Sequence, residues 1–264
     1  MPLTPEARSL AVFCDFENVA LGVREAKYSQ FDMQKVLERL LAKGSIVVKK
    51  AYCDWDRYKE FKAAMHGASF ELIEIPHVRQ SGKNSADIRM VVDALDLCYT
   101  KEHVDTFVIV SGDSDFSPLV SKLRENAKTV IGVGVKNSSS DLLINNCDEF
   151  IYYDDLVRQD EQKRRAAKKR KEAAPTGEEK SSDKKQEAFD VVLETLNALI
   201  AERGAEEKIW GSMVKQALKR RKPGFNESYY GFRAFSDLLE EMQQKALIKL
   251  DPDEKSGGYL IRPA

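Results

Sequence analysis

Two aspartates, Asp113 and Asp115, stand two residues apart in SGDSDF (111–116), between the apolar run TFVIV and the helical stretch PLVSKLRE. A second acidic pair, Asp15 and Glu17 in CDFEN, follows the apolar run AVF, with Asn18 at its end. A third group lies in GKNSADIRMVVDALD, where Asp87 falls in the first turn of a helical pattern and Asp93 and Asp96 follow. Singly, each acid has a structural reading. Ser114 or Asp115 can cap the helix that follows, Ser85 can cap its own, and an acid in a first turn is worth about 0.3–1 kcal/mol. Together the acids predict more. Two unit charges 4 Å apart repel by about 4 kcal/mol at an effective dielectric near 20. Three or four acids on one edge therefore resist folding unless a cation neutralises them. Oxygen ligands without histidine or cysteine suit Mg²⁺ or Mn²⁺, and such a cation polarises a phosphoryl oxygen and activates water for in-line attack.

Other chemistries lack their residues. No GxxxxGK[ST] loop is present, GVGVKN lacks the third glycine of a dinucleotide loop, and no serine sits in GxSxG. The four cysteines (Cys14, Cys53, Cys98, Cys147) show no CxxC spacing and lie in or beside apolar stretches, which makes them reduced core residues. With only three scattered histidines, a zinc site is disfavoured. Phosphodiester hydrolysis remains.

The elements that must position these acids are legible as an alternation. SLAVFCDF, SIVVKKAY, FELIEIP, TFVIVSG, TVIGVGV and EFIYY are short β-branched or aromatic runs, as in strands buried on both faces. Between them FDMQKVLERLLAK, WDRYKEFKAAM, ADIRMVVDALDLCYT and SPLVSKLREN carry helical spacing. The pattern predicts an α/β domain over residues 1–157, a mostly parallel sheet flanked by helices. In a parallel sheet all strand carboxyl ends share one edge, so CDFEN and SGDSDF can meet across about a hundred residues. A helix after a loop on that edge can bring Asp87 to the same place.

Charge divides the chain. Up to Val157 there are 19 Lys and Arg against 24 Asp and Glu; from Arg158 the balance is 23 against 19, within a net charge of −1. Residues 158–187 read as a charged linker, with Pro175-Thr176-Gly177 in their middle. From 188 to 264 the pattern is AFDVVLETLNALIAERG, IWGSMVKQALKRRKPGF and GFRAFSDLLEEMQQKA, three helices, then IKLDPDEKSGGYLIR, two strands about a turn. This predicts a small winged helix-turn-helix domain. No apolar run approaches a membrane span and MPLTPEARSL lacks a signal-peptide apolar region, so the expectation is a cytoplasmic protein with no membrane partner.

DFEN, KNSAD and SGDSDFSPLVSKLRE resemble the NYN domain, a branch of the PIN-like ribonucleases, over roughly residues 9–157. The tail resembles the LOTUS (OST-HTH) domain over roughly 186–263. The resemblance implies a Rossmann-like sheet and a Mg²⁺- or Mn²⁺-dependent endoribonuclease, with an RNA-binding module behind it. It assigns Asp15, Asp87 and Asp113 as catalytic metal ligands, and Asn18 and Asp115 as supporting polar groups; Ser111 beside them can support the acids or hold phosphate at the mouth of the site. The middle motif departs from the family's frequent Gly-Val, carrying Asn84-Ser85-Ala86 between lysine and aspartate.

Further residues have two readings. Arg79, Lys83 and Asn84 can hold phosphates at the mouth of the site or form a solvated loop. Lys219, Arg220 and Arg221, with Lys215 and Lys222, can contact phosphate, and Tyr229, Tyr230 or Phe232 can stack on unpaired bases or pack the core. SSSD (138–141) reads as a helix cap, Asp93 and Asp96 as a solvated face, and Asp148 as structural. The rival to the nuclease reading is a non-catalytic RNA-binding or regulatory protein with a degenerate acidic site; a DNA-binding regulator is a third. A second copy of the chain, or a protein partner on the C-terminal domain, completes the list of candidate partners.

Overall fold

The six β-rich runs all become strands, and the spacing between them sets the architecture. The structure, a computed structural model, describes residues 8–28, 30–75, 85–161, 180–204, 207–253 and 258–264. In order these hold β1 (Arg8–Asp15), α1 (Phe16–Glu25), α2 (Met33–Lys43), β2 (Gly44–Cys53), α3 (Lys59–Gly67), β3 (Glu71–Glu74) and α4 (Ser85–Thr100). After them come β4 (Thr106–Val110), a 3₁₀ turn at Ser114–Phe116, α5 (Ser117–Glu125), β5 (Thr129–Gly134), α6 (Asp141–Asn146), β6 (Glu149–Tyr152) and a helix α7 over 153–161.

The sheet order is β3-β2-β1-β4-β5-β6, and β2–β3, β1–β4, β4–β5 and β5–β6 all run parallel. From β1 the chain builds outward one way to β3; from β4 it builds the other way to β6. The order reverses between β1 and β4, which opens a crevice beyond their carboxyl ends, where ligands of such sheets bind. The core beneath joins Phe13, Phe107 and Ile109 of β1 and β4 to Met90 and Ala94 of α4 and to Leu119, Val120 and Leu123 of α5. All five residues of β4 are buried.

Three expectations need correction. The reading of every strand as buried on both faces fails at the sheet's margin. The edge strand β3 and much of its neighbour β2 are only partly covered, because an edge has packing on fewer sides. Helix α1 escaped notice: its β-branched Val19 and Val23 and its Gly22 carry weak helical propensity, and it is held by burial of those residues and by the Asp15 cap. Asp93 is not on a solvated face. It accepts from the Tyr52 hydroxyl at 2.8 Å and pairs with Lys50 and Arg89. Burial pushes its pKa up, but those partners outweigh it and hold the carboxyl below the usual range.

The described residues fall into two compact units, the second taking the chain from α8 (Lys180–Arg203) onward together with Glu38–Gly44. Beyond α8 lie β7 (Ile209–Trp210), α9 (Gly211–Arg221), α10 (Phe235–Gln244), β8 (Ile248–Asp253) and β9 (Gly258–Pro263). The strands form an antiparallel sheet ordered β7-β9-β8. Three helices and this sheet enclose Phe189, Leu196, Val214, Leu218, Phe235, Leu238 and Met242, the expected winged-helix arrangement. Two details differ from the sequence reading: Ile209 and Trp210 pair with β9 instead of opening the second helix, and residues 180–187 belong to α8. The helix at 158–161 agrees with a linker that is helical before Pro175. Lysine, glutamine and glutamate after Gly177 are good helix formers, and Lys185 anchors this start to Glu241 of α10 at 2.7 Å. Helix α8 ends where expected, with Gly204 at φ 95°.

Candidate active site

Strand β1 delivers Asp15 to the carboxyl edge as its last residue, and Ser111 follows directly on β4. The parallel register pairs Cys14 with Val110, which sets the next residues level. The buried Ser111 hydroxyl donates to Asp15 Oδ2 at 3.0 Å and accepts from the Asp113 amide at 3.2 Å. Asp15, Ser111 and Asp113 are thus joined across the crevice. Asn18, one turn into α1, accepts the Gly112 amide on its Oδ1 at 2.9 Å and ties the same loop to the first helix.

Capping falls to other residues than the expected Ser114 or Asp115. Asp113 Oδ1 accepts the Asp115 amide at 3.0 Å and opens the 3₁₀ turn, while Asp15 Oδ1 accepts the Asn18 amide at the long distance of 3.4 Å. Capping occupies one oxygen of each carboxylate, and Asp15 accepts the Ser111 hydroxyl on its other. Asp115 itself is exposed, and α5 starts without a side-chain cap. Ser140 caps α6, accepting from the Leu142 amide, and Asp148 accepts the Val130 amide while pairing with Arg124, so both are structural.

Negative charge is crowded in this crevice. Asp15 is 8% exposed. Burial, followed by the negative charge of Asp87 and more weakly that of Asp113, pushes its carboxyl up to about 7, against the pull of its Ser111 and Asn18 hydrogen bonds. Burial, then Asp113, Asp115 and Glu17, pushes Asp87 up to about 6. The three sequence clusters therefore feel one another, as their placement on one edge demanded. Among the described residues, however, no three Asp, Glu, His or Cys side chains are grouped closely enough to hold an ion as they stand. The donor chemistry nevertheless fits Mg²⁺, which keeps several waters and is usually bound through one or two carboxylates plus substrate phosphates.

Glu17, the second acid of CDFEN, adds to the negative field on Asp87 and is met by Arg57 at 3.3 Å. One contributor was not singled out from sequence. It is Gly112. A Cβ built on it would lie 2.4 Å from the Ser138 carbonyl oxygen and 2.9 Å from Ser139 Cα. Only glycine lets the SSSD loop approach the acidic turn, and the Ser140 amide donates to the Gly112 carbonyl at 2.9 Å. Gly112→Ala is expected to cost about 1–3 kcal/mol, read by thermal melting, and to impair any activity of the neighbouring Asp113. An alanine variant as stable as the parent would show that the loops part freely.

Arg79, Lys83 and Asn84 lie outside the described residues. In the second unit Lys219 is exposed and Arg220 half-buried. Arg221 is engaged by Glu194 at 2.9 Å and Lys215 by Glu227 at 2.8 Å. Phe232 is core, whereas Tyr229 is 62% exposed, edge-on to Tyr230 and beneath the Lys184 ammonium at 4.8 Å.

The profile of the NYN domain matches residues 9–154, all of the sheet and both loops of the crevice. The chain belongs to the NYN domain family. That domain is a member of a nuclease superfamily, and the OST-HTH/LOTUS domain matched at residues 189–255 points to RNA binding. The NYN unit is also similar to an uncharacterized protein of Methanocaldococcus jannaschii, 30% identical over 125 residues, 47% of this chain and 49% of that protein. The match thus spans about half the length of that curated relative. A crystal structure of a protein of unknown function from Vibrio parahaemolyticus superposes with a TM-score of 0.51 at 29% identity, covering 58% of this chain and 97% of the other. No helix among the described residues is long and apolar enough to cross a membrane.

Proposed function

We propose that the chain is a Mg²⁺- or Mn²⁺-dependent endoribonuclease whose C-terminal module holds RNA. The observation that carries this reading is the hydrogen-bonded line Asp15–Ser111–Asp113 at the β1–β4 reversal, with Asp87 pressing electrostatically on Asp15. Buried, mutually repelling carboxylates on a sheet's binding edge cost stability, which a cation would relieve. Asp15, Asp87 and Asp113 would hold it. Bound there, the cation supplies polarisation of a phosphoryl oxygen and acidification of water. The chain's own part is to orient the carboxylates. Ser111 and Asn18 fix the Asp113 turn against β1 and α1, and buried β4 beneath makes the platform rigid.

The direct test is cleavage of labelled single-stranded RNA with Mn²⁺ by the parent protein and by Asp113→Asn. Cutting by the parent that the variant and EDTA both abolish supports the reading; equal cutting by both overturns it.

Retention of RNA by the second module predicts a salt effect. Lys219 is exposed at the end of α9. Each phosphate contact on a single strand contributes a slope of about −0.7 in log affinity against log salt. Lys219→Gln is expected to reduce the slope by about that amount in RNA binding measured with EDTA present. An unchanged slope would remove Lys219 from the RNA surface.

A further inference from the structure

The NYN unit contains a cavity of about 370 Å³ that the acidic line does not use. Phe16, Phe31, Phe61 and Met65 line its apolar side, and Gln30 and Gln34 stand among its polar residues. Phe16 meets Phe31 edge-on at 6.0 Å and Phe61 at 5.0 Å. Phe16, Phe31 and Met65 are buried, while Phe61 keeps part of its surface open and both glutamines are exposed. A volume in the 300–1,000 Å³ range, with an apolar wall on one side and Gln30, Asp32, Gln34 and Lys35 on the other, suits a small ligand with one apolar face and one polar edge.

The lining also says which ligand. Lys35 borders the cavity, but its ammonium is engaged by Asp32 and Asp160, so it does not offer the free cation a phosphate needs. Open aromatic surface beside neutral amides is the chemistry that receives an unpaired base: the ring stacks, and the amides bond the base edge. The chain connects the two: Phe16, on the cavity wall, directly follows Asp15 in sequence.

We propose that this cavity receives one unpaired base of the RNA, stacked on Phe61 and read at its edge by Gln30 and Gln34, beside the phosphate that is cut. This rests on the RNA-cleaving reading above. It makes the nuclease selective for unpaired RNA and sensitive to the identity of one base.

Two experiments on the full chain test it. In the first, short single-stranded RNAs each lack the base at one position, and their cleavage with Mn²⁺ is compared. Loss of one particular base near the cut is expected to slow cleavage roughly ten- to a hundredfold, while its loss elsewhere has little effect. Phe61→Leu should erase that difference, Phe61→Tyr should restore it, and Gln34→Ala, on the exposed rim, should change which base is preferred. In the second, RNA carrying 5-iodouridine is irradiated in EDTA, where nothing is cut, and cross-linked peptides are identified. A cross-link on the α3 peptide that Phe61→Leu removes supports the cavity without any reliance on activity. Base-free RNAs all cut within twofold of the intact strand, or cross-links found only after residue 180, would overturn it. Cleavage without base dependence would remove the cavity and leave the nuclease; an α3 cross-link without cleavage by the parent would do the reverse.

Discussion

Asp15→Asn is expected to reduce RNA cleavage by more than about a hundredfold while leaving RNA affinity, measured in EDTA, within about threefold. Asparagine keeps the shape and an oxygen for the Ser111 hydroxyl, but it cannot neutralise a cation. Losing an outer-shell partner of a metal typically costs 10–100-fold, so losing a direct ligand should cost more. Asp87→Asn and Asp113→Asn should fall with it, and EDTA should mimic all three. Ser111→Ala belongs to the milder class: it leaves the carboxylates in place but frees Asp15 and the Asp113 turn from each other, so about a 10–100-fold loss is expected. If Asp87→Asn cuts as fast as the parent at saturating Mn²⁺, Asp87 is not a ligand.

The same substitution should stabilise the metal-free protein at neutral pH. The Asp15 carboxyl rises from an ordinary 3.8 to about 7 in the folded state. Below pH 4 both folded and unfolded chains hold the proton and nothing is lost. Between pH 4 and 7 only the folded chain holds it, so each pH unit upward lowers stability by about 1.4 kcal/mol, roughly 4 kcal/mol across the window. Asparagine has no such titration and caps a helix about as well as aspartate, so the α1 cap is preserved and charge alone is tested. In EDTA, Asp15→Asn should melt above the parent at pH 8, and the gap should shrink towards pH 5. Saturating Mn²⁺ should narrow or reverse it, since a ligand at a hundredfold excess over Kd adds about 2.7 kcal/mol to the form that binds it. A variant that melts lower by one constant margin, whatever the pH or metal, would show that Asp15 serves only as a cap.

Much of this crevice was readable from residue types because acids at the ends of apolar strands have few comfortable explanations. Asp15 and Asp113 were conspicuous for that reason, and Asp87 for its place in a first helical turn. What could not be read is what depends on order and distance. Alternation predicts a parallel sheet but not that β1 neighbours β4, and that adjacency is what joins Asp15 to Ser111. Asp93 looked solvated because its partners Lys50 and Tyr52 lie on a strand some forty residues earlier. The need for glycine at position 112 is visible only once Ser138 is beside it. Ile209–Trp210 is too short for any periodicity, and its partner β9 follows some fifty residues later.

The pairing of β1 with β4 also has a consequence in time. Asp15 and Ser111 are 96 residues apart, and a contact across that span cannot form until the intervening loop has been closed, which makes such topologies slow to fold. On the ribosome β1 emerges first and must wait, unpaired on that side, until β4 follows it out. The crevice is therefore completed late: Asp15 is made well before Ser111 and Asp113, and the two sides cannot join until the residues between them have been synthesised.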